Sequence, residues 1–271
     1  MNKTTNIIST IFGKFASFEF PNKIQKIINK SYVSLMGLDM SEFEDAANFK
    51  SLNALFTRPL LQDRDIDDDQ NAIISPADSL ISACGINSQN LSYQIKGFSY
   101  KLNELLESCD EKMVRSLDYG NYINFYLSPK DYHRYHAPCN LRINKIVHIP
   151  GYLYPVNFFA LRNIYDLFVK NERVILECKT ENDKNLYLVY VGALNVGQMV
   201  FECEPKIETN RDKTAISSYT YDNLQVKKGE MMGYFKMGST VLLIAQKGAI
   251  NLEDIKGCKV RFGQKVASFN S

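Results

Sequence analysis

"FKMGSTVLLI", residues 235–244, places an apolar, β-branched run directly behind Gly238-Ser239-Thr240. Val241 to Ile244 have the composition of a strand. Glycine tolerates positive φ and serine hydrogen-bonds its own backbone, so the Gly-Ser pair reads first as a turn feeding that strand. Similar short runs recur from about residue 71: "NAIIS", "YINFYLS", "LRINKIVHI", "NLYLVYVGAL" and "GQMVFECE", each bounded by Gly, Pro, Asn or Asp. The pattern predicts a predominantly antiparallel β body. Around "GYFKM", where Lys236 lies between two strand-like runs, it also suggests a lipoyl-like hairpin near the C-terminus.

Upstream the period changes. In "NIISTIFGKFASFEF", Ile7, Ile8, Ile11, Phe12, Phe15 and Phe18 recur at helical spacing, and Pro21 separates them from a second helix, "NKIQKIINKSYVSLMGL", with Ile24, Ile27, Ile28, Val33 and Met36 near one face. Lys3, Lys14, Lys23, Lys26 and Lys30 surround these residues. A basic amphipathic helix suits a bilayer interface, and an ordinary helix packed on its own core suits the same pattern. One further helix is expected between Lys101 and Leu117. The fold class is α+β, short N-terminal helices followed by the β body.

The chain has 271 residues, 45% of them apolar, and a net charge of +2. That length buries a substantial core, and the balanced charge gives no basic face for nucleic acid. Six dispersed cysteines without a Cys-x-x-Cys pair fit free thiols in a reducing compartment. No apolar run approaches the roughly 20 residues of a spanning helix. The acidic run "QDRDIDDDQN" (62–71) fails as a calcium loop, because Asp68 stands where glycine is required and Ile74 where glutamate is. It reads as a solvated loop.

Two of three histidines fall in "DYHRYHAPCN", at His133 and His136, where Pro129 and Pro138 argue against a helix. Catalysis, a zinc site completed by Cys139, and histidines bonded within a loop are all open readings. Asp78 in "SPADS" and Ser239 supply an orienting acid and a nucleophile, so Asp78, His136 and Ser239 have the residue types of a triad.

Seven segments now fall into one pattern: "FTRPL" (56–60), "SPADS" (75–79), "DYHRYHAPCN" (131–140), "GYLYPVN" (151–157), "NERV" (171–174), "VGALNVGQM" (191–199) and "KKGEMMGYFKMGSTVLLI" (227–244). Their order and spacing resemble those of the phosphatidylserine decarboxylases, from about residue 50 to the C-terminus. The resemblance implies a proenzyme that cuts itself between Gly238 and Ser239, leaving a β chain of 1–238 and an α chain of 239–271. It implies a covalent pyruvoyl group made from Ser239, with Asp78, His136 and Ser239 acting in the cut. The first histidine, His133, then returns a proton during decarboxylation. The implied reaction turns phosphatidylserine into phosphatidylethanolamine and CO2 through a Schiff base, the ketone serving as electron sink.

On this reading residues 1–50 form a helical, membrane-interfacial segment and 51–271 the catalytic domain. The partners are phosphatidylserine in a bilayer, the membrane surface and the two chains of one precursor, with a homodimer open as an assembly and nucleic acid excluded. The implied location is the cell membrane, peripheral on its cytoplasmic face. Two features depart from the family pattern: Met237 replaces leucine, and Ser79 replaces a glycine, at some cost in strain if that position needs positive φ. Two rival readings remain, a biotinyl- or lipoyl-type carrier using Lys236 and a zinc hydrolase using His133, His136 and Cys139.

Overall fold

The computed structural model describes residues 4–88, 91–95, 98–194, 198–210, 215–236 and 239–270. Helix α1 (Thr4–Ser17) is separated by Pro21 from α2 (Asn22–Met36), which Gly37 ends in a left-handed cap, its N–H returning to the Val33 carbonyl. A 3-10 turn (Ala46–Asn48) and α3 (Leu52–Phe56) follow, the latter capped by the Ser51 side chain on the Ala54 N–H. The next elements are β1 (Ala72–Ile74), β2 (Ser79–Ile86), β3 (Leu91–Ile95), β4 (Phe98–Lys101), α4 (Leu102–Leu105), α5 (Glu111–Arg115), β5 (Asn121–Leu127), β6 (Arg134–His136) and β7 (Leu141–Ile149). Then come α6 (Phe158–Asn163), α7 (Leu167–Lys170), β8 (Arg173–Thr180), β9 (Asn185–Val191), β10 (Met199–Phe201) and β11 (Ser217–Val226). The chain closes with β12 (Met231–Phe235), β13 (Ser239–Ala245), β14 (Ile250–Leu252), β15 (Lys259–Val260) and β16 (Lys265–Phe269).

The body is antiparallel, as its alternating runs predict. An eight-stranded sheet has the order β11-β7-β8-β9-β13-β5-β2-β15, with smaller sheets β10-β12-β6, β1-β16-β14 and β3-β4. Every residue of β9 and β13 is buried, because both faces of the large sheet are covered. The pleat divides the strand between two cores. Val241, Leu243 and Ala245 join Tyr135, Phe201 and Phe235 of the small β10-β12-β6 sheet. Leu242 and Ile244 join Leu102, Leu105, Leu161 and Phe168 from the helical side.

Three expectations change. The helix expected between Lys101 and Leu117 is two short helices, because Ser108 takes φ 66° and Asp110 starts α5 anew by accepting the Met113 N–H. Its leucines still bury together, so the spacing was that of a core without being that of one helix. In α2 the inward face is led by Gln25 and Asn29, hydrogen-bonded to each other and, through Asn29, to the carbonyls of Ala46 and Phe49. Ile24, Ile27 and Leu35 face outward. Finally, β12 and β13 lie in different sheets, so among the described residues they do not pair as the expected lipoyl-like hairpin. Among the described residues no helix is long and apolar enough to cross a membrane.

"NERV" acts as a clamp on the helical side. Asn171 bonds the backbone of Tyr154 and Gly192, and Glu172 accepts from His148 and the Asn210 N–H. Arg173, 2% exposed, donates to the carbonyls of Leu105, Glu104 and Val169 at 2.8, 2.8 and 2.5 Å. These bonds fix α4 and α7 to β8. Arg173→Met is expected to strand those acceptors at a cost of about 3 kcal/mol, lowering the melting temperature by roughly 6–12 °C at this size. A melting curve unchanged by the substitution would refute the clamp.

Candidate functional site

Ser239 is the first residue of β13. It pairs with Leu127 of β5, while the ladder to β9 begins one residue later, at Thr240 and Val191. Alternation puts Ser239 on the face of Val241 and Leu243, toward the small sheet that carries β6. Its side chain is completely buried, and its Oγ has no hydrogen-bond partner among the described residues. Burying a hydroxyl without a partner costs on the order of 1–3 kcal/mol, so this atom is held for something other than stability. Met237 and Gly238, the other side of the expected cut, lie outside the described residues.

The segment before Ser239 is anchored near the histidines. The Phe235 N–H donates to the His133 carbonyl at 3.0 Å, and Lys236 N–H to the Gln198 carbonyl at 2.9 Å. Met231 pairs with His136 across β12 and β6. His133 and His136 therefore share a short strand and its entry.

Their partners fix their tautomers. His133 Nδ1 lies 2.7 Å from the Asp131 carbonyl and His136 Nδ1 2.9 Å from the Gly229 carbonyl. A carbonyl only accepts, so both Nδ1 atoms carry the proton and both Nε2 atoms are lone-pair bases. Gly229 presents its carbonyl from φ 81°, a conformation glycine adopts without strain. The Nε2 of His136 accepts from the Tyr132 hydroxyl at 3.2 Å, whereas that of His133 is buried without a partner among the described residues. Phe56 packs 3.9 Å from the His133 ring, and Phe262 stacks 3.6 Å from the His136 ring at 14°. Burial pushes His133 down to about 3 and His136 down to about 4, so both are neutral at pH 7.

Asp78 does not hydrogen-bond His136. Its Oδ1 accepts from Arg64 Nη1 at 2.5 Å and from the Phe262 N–H at 2.8 Å, and its Oδ2 from Arg64 Nη2 at 3.0 Å. The expected orienting role at Nδ1 is filled by the Gly229 carbonyl, and Asp78 instead holds the backbone of Phe262, whose ring stacks on the imidazole. Arg64 comes from the acidic run read as a solvated loop; its side chain is only 10% exposed. Nothing in its spacing marks it, since its carboxylate partners lie 14 and 22 residues away. Tyr132 was visible inside "DYHRYH", but only its contact with Nε2 distinguishes it from Tyr135. A cavity of about 370 Å³ reaches His136, Tyr132, Arg64, Arg134 and Phe262.

The remaining candidates separate. Ser79 begins β2 without positive φ, so the anticipated strain does not arise. Cys139 lies in the main core with its thiol pushed up to about 12 by burial, opposite to the thiolate zinc needs. Among the described residues no three His, Cys, Asp or Glu side chains could hold a metal ion. Lys236 is half-buried, its Nζ 2.7 Å from Gln198 Oε1, and is not the exposed hairpin tip of a carrier domain.

Both imidazoles titrate lower when folded than when unfolded. In the uncut Ser239→Ala chain, stability is therefore full above about pH 6.5 and falls as the pH drops toward 4, because the unfolded chain binds protons the folded one refuses. Each histidine contributes a slope of up to about 1.4 kcal/mol per pH unit in that range. Urea midpoints at pH 7 and pH 5 measure it. His136→Asn is expected to flatten the slope, and an unchanged slope would show that His136 is not buried neutral.

A family model described as phosphatidylserine decarboxylase matches residues 52–268. A phosphatidylserine decarboxylase proenzyme of Helicobacter pylori is 44% identical over 268 residues, covering 98% of each chain. The proenzyme of Campylobacter jejuni is 43% identical over 266 residues, covering 96% of this chain and 97% of its own. That of Haemophilus influenzae is 33% identical over 253 residues, covering 91% and 86%. With the match running from α3 through the histidine strand into β16, this chain belongs to the phosphatidylserine decarboxylase family.

Proposed function

We propose that the chain is a self-cleaving, pyruvoyl-dependent decarboxylase that converts phosphatidylserine to phosphatidylethanolamine and CO2. The observation that carries this is Ser239: in a chain of this family, a wholly buried serine without a hydrogen-bond partner among the described residues opens the central strand. Such a hydroxyl is desolvated and unoccupied, the condition an attacking oxygen needs. Its attack on the Gly238 carbonyl exchanges the 238–239 amide for an ester. Elimination then breaks the Ser239 Cβ–O bond, leaving a C-terminal carboxylate on Gly238. Hydrolysis at residue 239 releases ammonia and leaves the pyruvoyl ketone.

His136 is the base for the cut. Its neutral Nε2 accepts a proton once the Tyr132 hydroxyl gives way. His133, with an Nε2 unpartnered among the described residues and a neutral ring, is the proton-handling group for decarboxylation, where the pyruvoyl group supplies an electron sink for the carbon that loses CO2. Thr240, also buried with an unpartnered Oγ1 among the described residues, makes the head of β13 a polar spot inside an apolar sheet.

The substrate is a bilayer lipid, and the N-terminal segment, residues 1–50, is the docking element that brings the 51–271 catalytic domain to it. Ile11, Phe15 and Phe18 of the first helical stretch and Ile24, Ile27 and Leu35 of α2 are exposed, Leu35 by 83%. Lysines stand among them, the composition of an interfacial helix. The protein is peripheral, at the cytoplasmic face of the cell membrane. Vesicles containing anionic lipid are expected to sediment the protein, and the double change Ile27→Asp and Leu35→Asp to reduce the bound fraction about tenfold. Equal sedimentation of both would remove this docking face.

Intact-mass spectrometry tests the processing. The wild-type chain should appear as 1–238 and as 239–271, the latter lighter by one ammonia than a serine-started fragment, and Ser239→Ala should stay whole. Phosphatidylserine decarboxylation should follow the cut form alone. An uncut wild-type chain with decarboxylase activity would overturn the mechanism.

A further inference from the structure

We infer that Arg64 is a positioning residue for the self-cleavage site, acting on His136 through both aromatic neighbours of its imidazole. This rests on the reading above that His136 serves the cut. The geometry runs along two arms. On one, Arg64 grips both oxygens of Asp78, and Asp78 Oδ1 in turn accepts the Phe262 N–H, which fixes the residue whose ring stacks on His136. On the other, the Arg64 guanidinium stands 5.4 Å over the Tyr132 ring, and the Tyr132 hydroxyl meets His136 Nε2. The imidazole is thus bordered by two rings, and one guanidinium reaches both.

Arg64 is itself fixed. Its Nε and Nη2 donate to the two oxygens of Glu42 at 3.1 and 2.9 Å, so two carboxylates hold the planar group in a fork-to-fork arrangement. Arg261 pairs with the same Glu42. The guanidinium is largely buried, and although burial opposes its charge, its carboxylate partners outweigh that and favour the charged form. The network also spans the expected cut: Glu42, Arg64 and Asp78 precede position 239, while Arg261 and Phe262 follow it. Asp78 therefore acts on the histidine by placing Phe262, and Arg64 is the residue that makes that placement unique. A lysine offers a point charge in place of the fork and cannot hold both Asp78 oxygens and both Glu42 oxygens at once.

The test is the rate at which the newly made full-length chain yields the 239–271 fragment, in wild type, Arg64→Met, Arg64→Lys, Arg64→Ala, Glu42→Gln and Ser239→Ala. Arg64→Met is expected to slow the cut about tenfold or more, with Arg64→Lys intermediate. Millimolar guanidinium is expected to speed Arg64→Ala and leave the wild type unchanged, a rescue that a merely structural role would not give. Cutting of Arg64→Met at the wild-type rate overturns the inference, as does slowing without guanidinium rescue and without recovery in Arg64→Lys. If Arg64→Met and Arg64→Ala fail to fold, Glu42→Gln decides: slowing of about threefold supports the network, and no slowing overturns it. A wild-type chain that never cuts, like Ser239→Ala, sinks the proposed self-cleavage and with it the premise of this inference, whereas a cut wild type beside an unaffected Arg64→Met sinks only the role of Arg64.

Discussion

Strand β13 is hydrogen-bonded on both edges and buried on both faces, and the rest of the molecule is arranged around it. Its four large apolar side chains, Val241 to Ile244, each contributing about 1.5–3 kcal/mol on burial, divide between the small-sheet core and the helical core. That symmetry leaves little freedom in register, since a shift of one residue would exchange the two faces. The strand begins at Ser239, so the position of its hydroxyl is set by the packing of the entire sheet. A serine at the exposed end of an edge strand would have water as its partner; Ser239 is wholly buried.

The same burial governs the histidines. Imidazole in water is half-charged near pH 6.5, but packed on Phe56 and Phe262 the two rings stay neutral far below that. Backbone carbonyls at both Nδ1 atoms then leave the lone pairs at Nε2. Orientation by a carbonyl adds no charge to the site, whereas a carboxylate at Nδ1 would favour the imidazolium. The carboxylate of Asp78 is spent on Arg64 and on the Phe262 N–H, which stabilise the walls of the site.

The two sides of the main sheet have different tasks. Toward the small sheet lie the serine and the histidine strand; toward the helices lies the clamp of Asn171, Glu172 and Arg173, which ties loops and short helices to β8 by hydrogen bonds to backbone. Those helices are each only one or two turns long, too short to be stable alone. Their order comes from the clamp and from the leucines they bury.

The strand runs, the helical start and the split at Pro21 were all legible from local pattern, because alternation and helical spacing are properties of neighbouring residues. So was the set of motifs that placed Asp78, His133, His136 and Ser239 in one family pattern. The break of the 101–117 stretch was not legible, because the same leucine spacing serves one helix or two that share a core, and the choice lies in Ser108 and Asp110. The pairing of the two runs around Lys236 was not legible for a related reason: adjacent strand-like runs look like a hairpin until their partners are known, and β12 pairs with β6 and β10 while β13 pairs with β5 and β9. The sequence by itself determined which residue types are present for the chemistry and the strand that carries Ser239. Only the tertiary structure decided which atoms meet, giving Asp78 to Arg64 and His136 to Gly229 and Tyr132, because hydrogen bonds and burial depend on contacts between residues far apart in the chain.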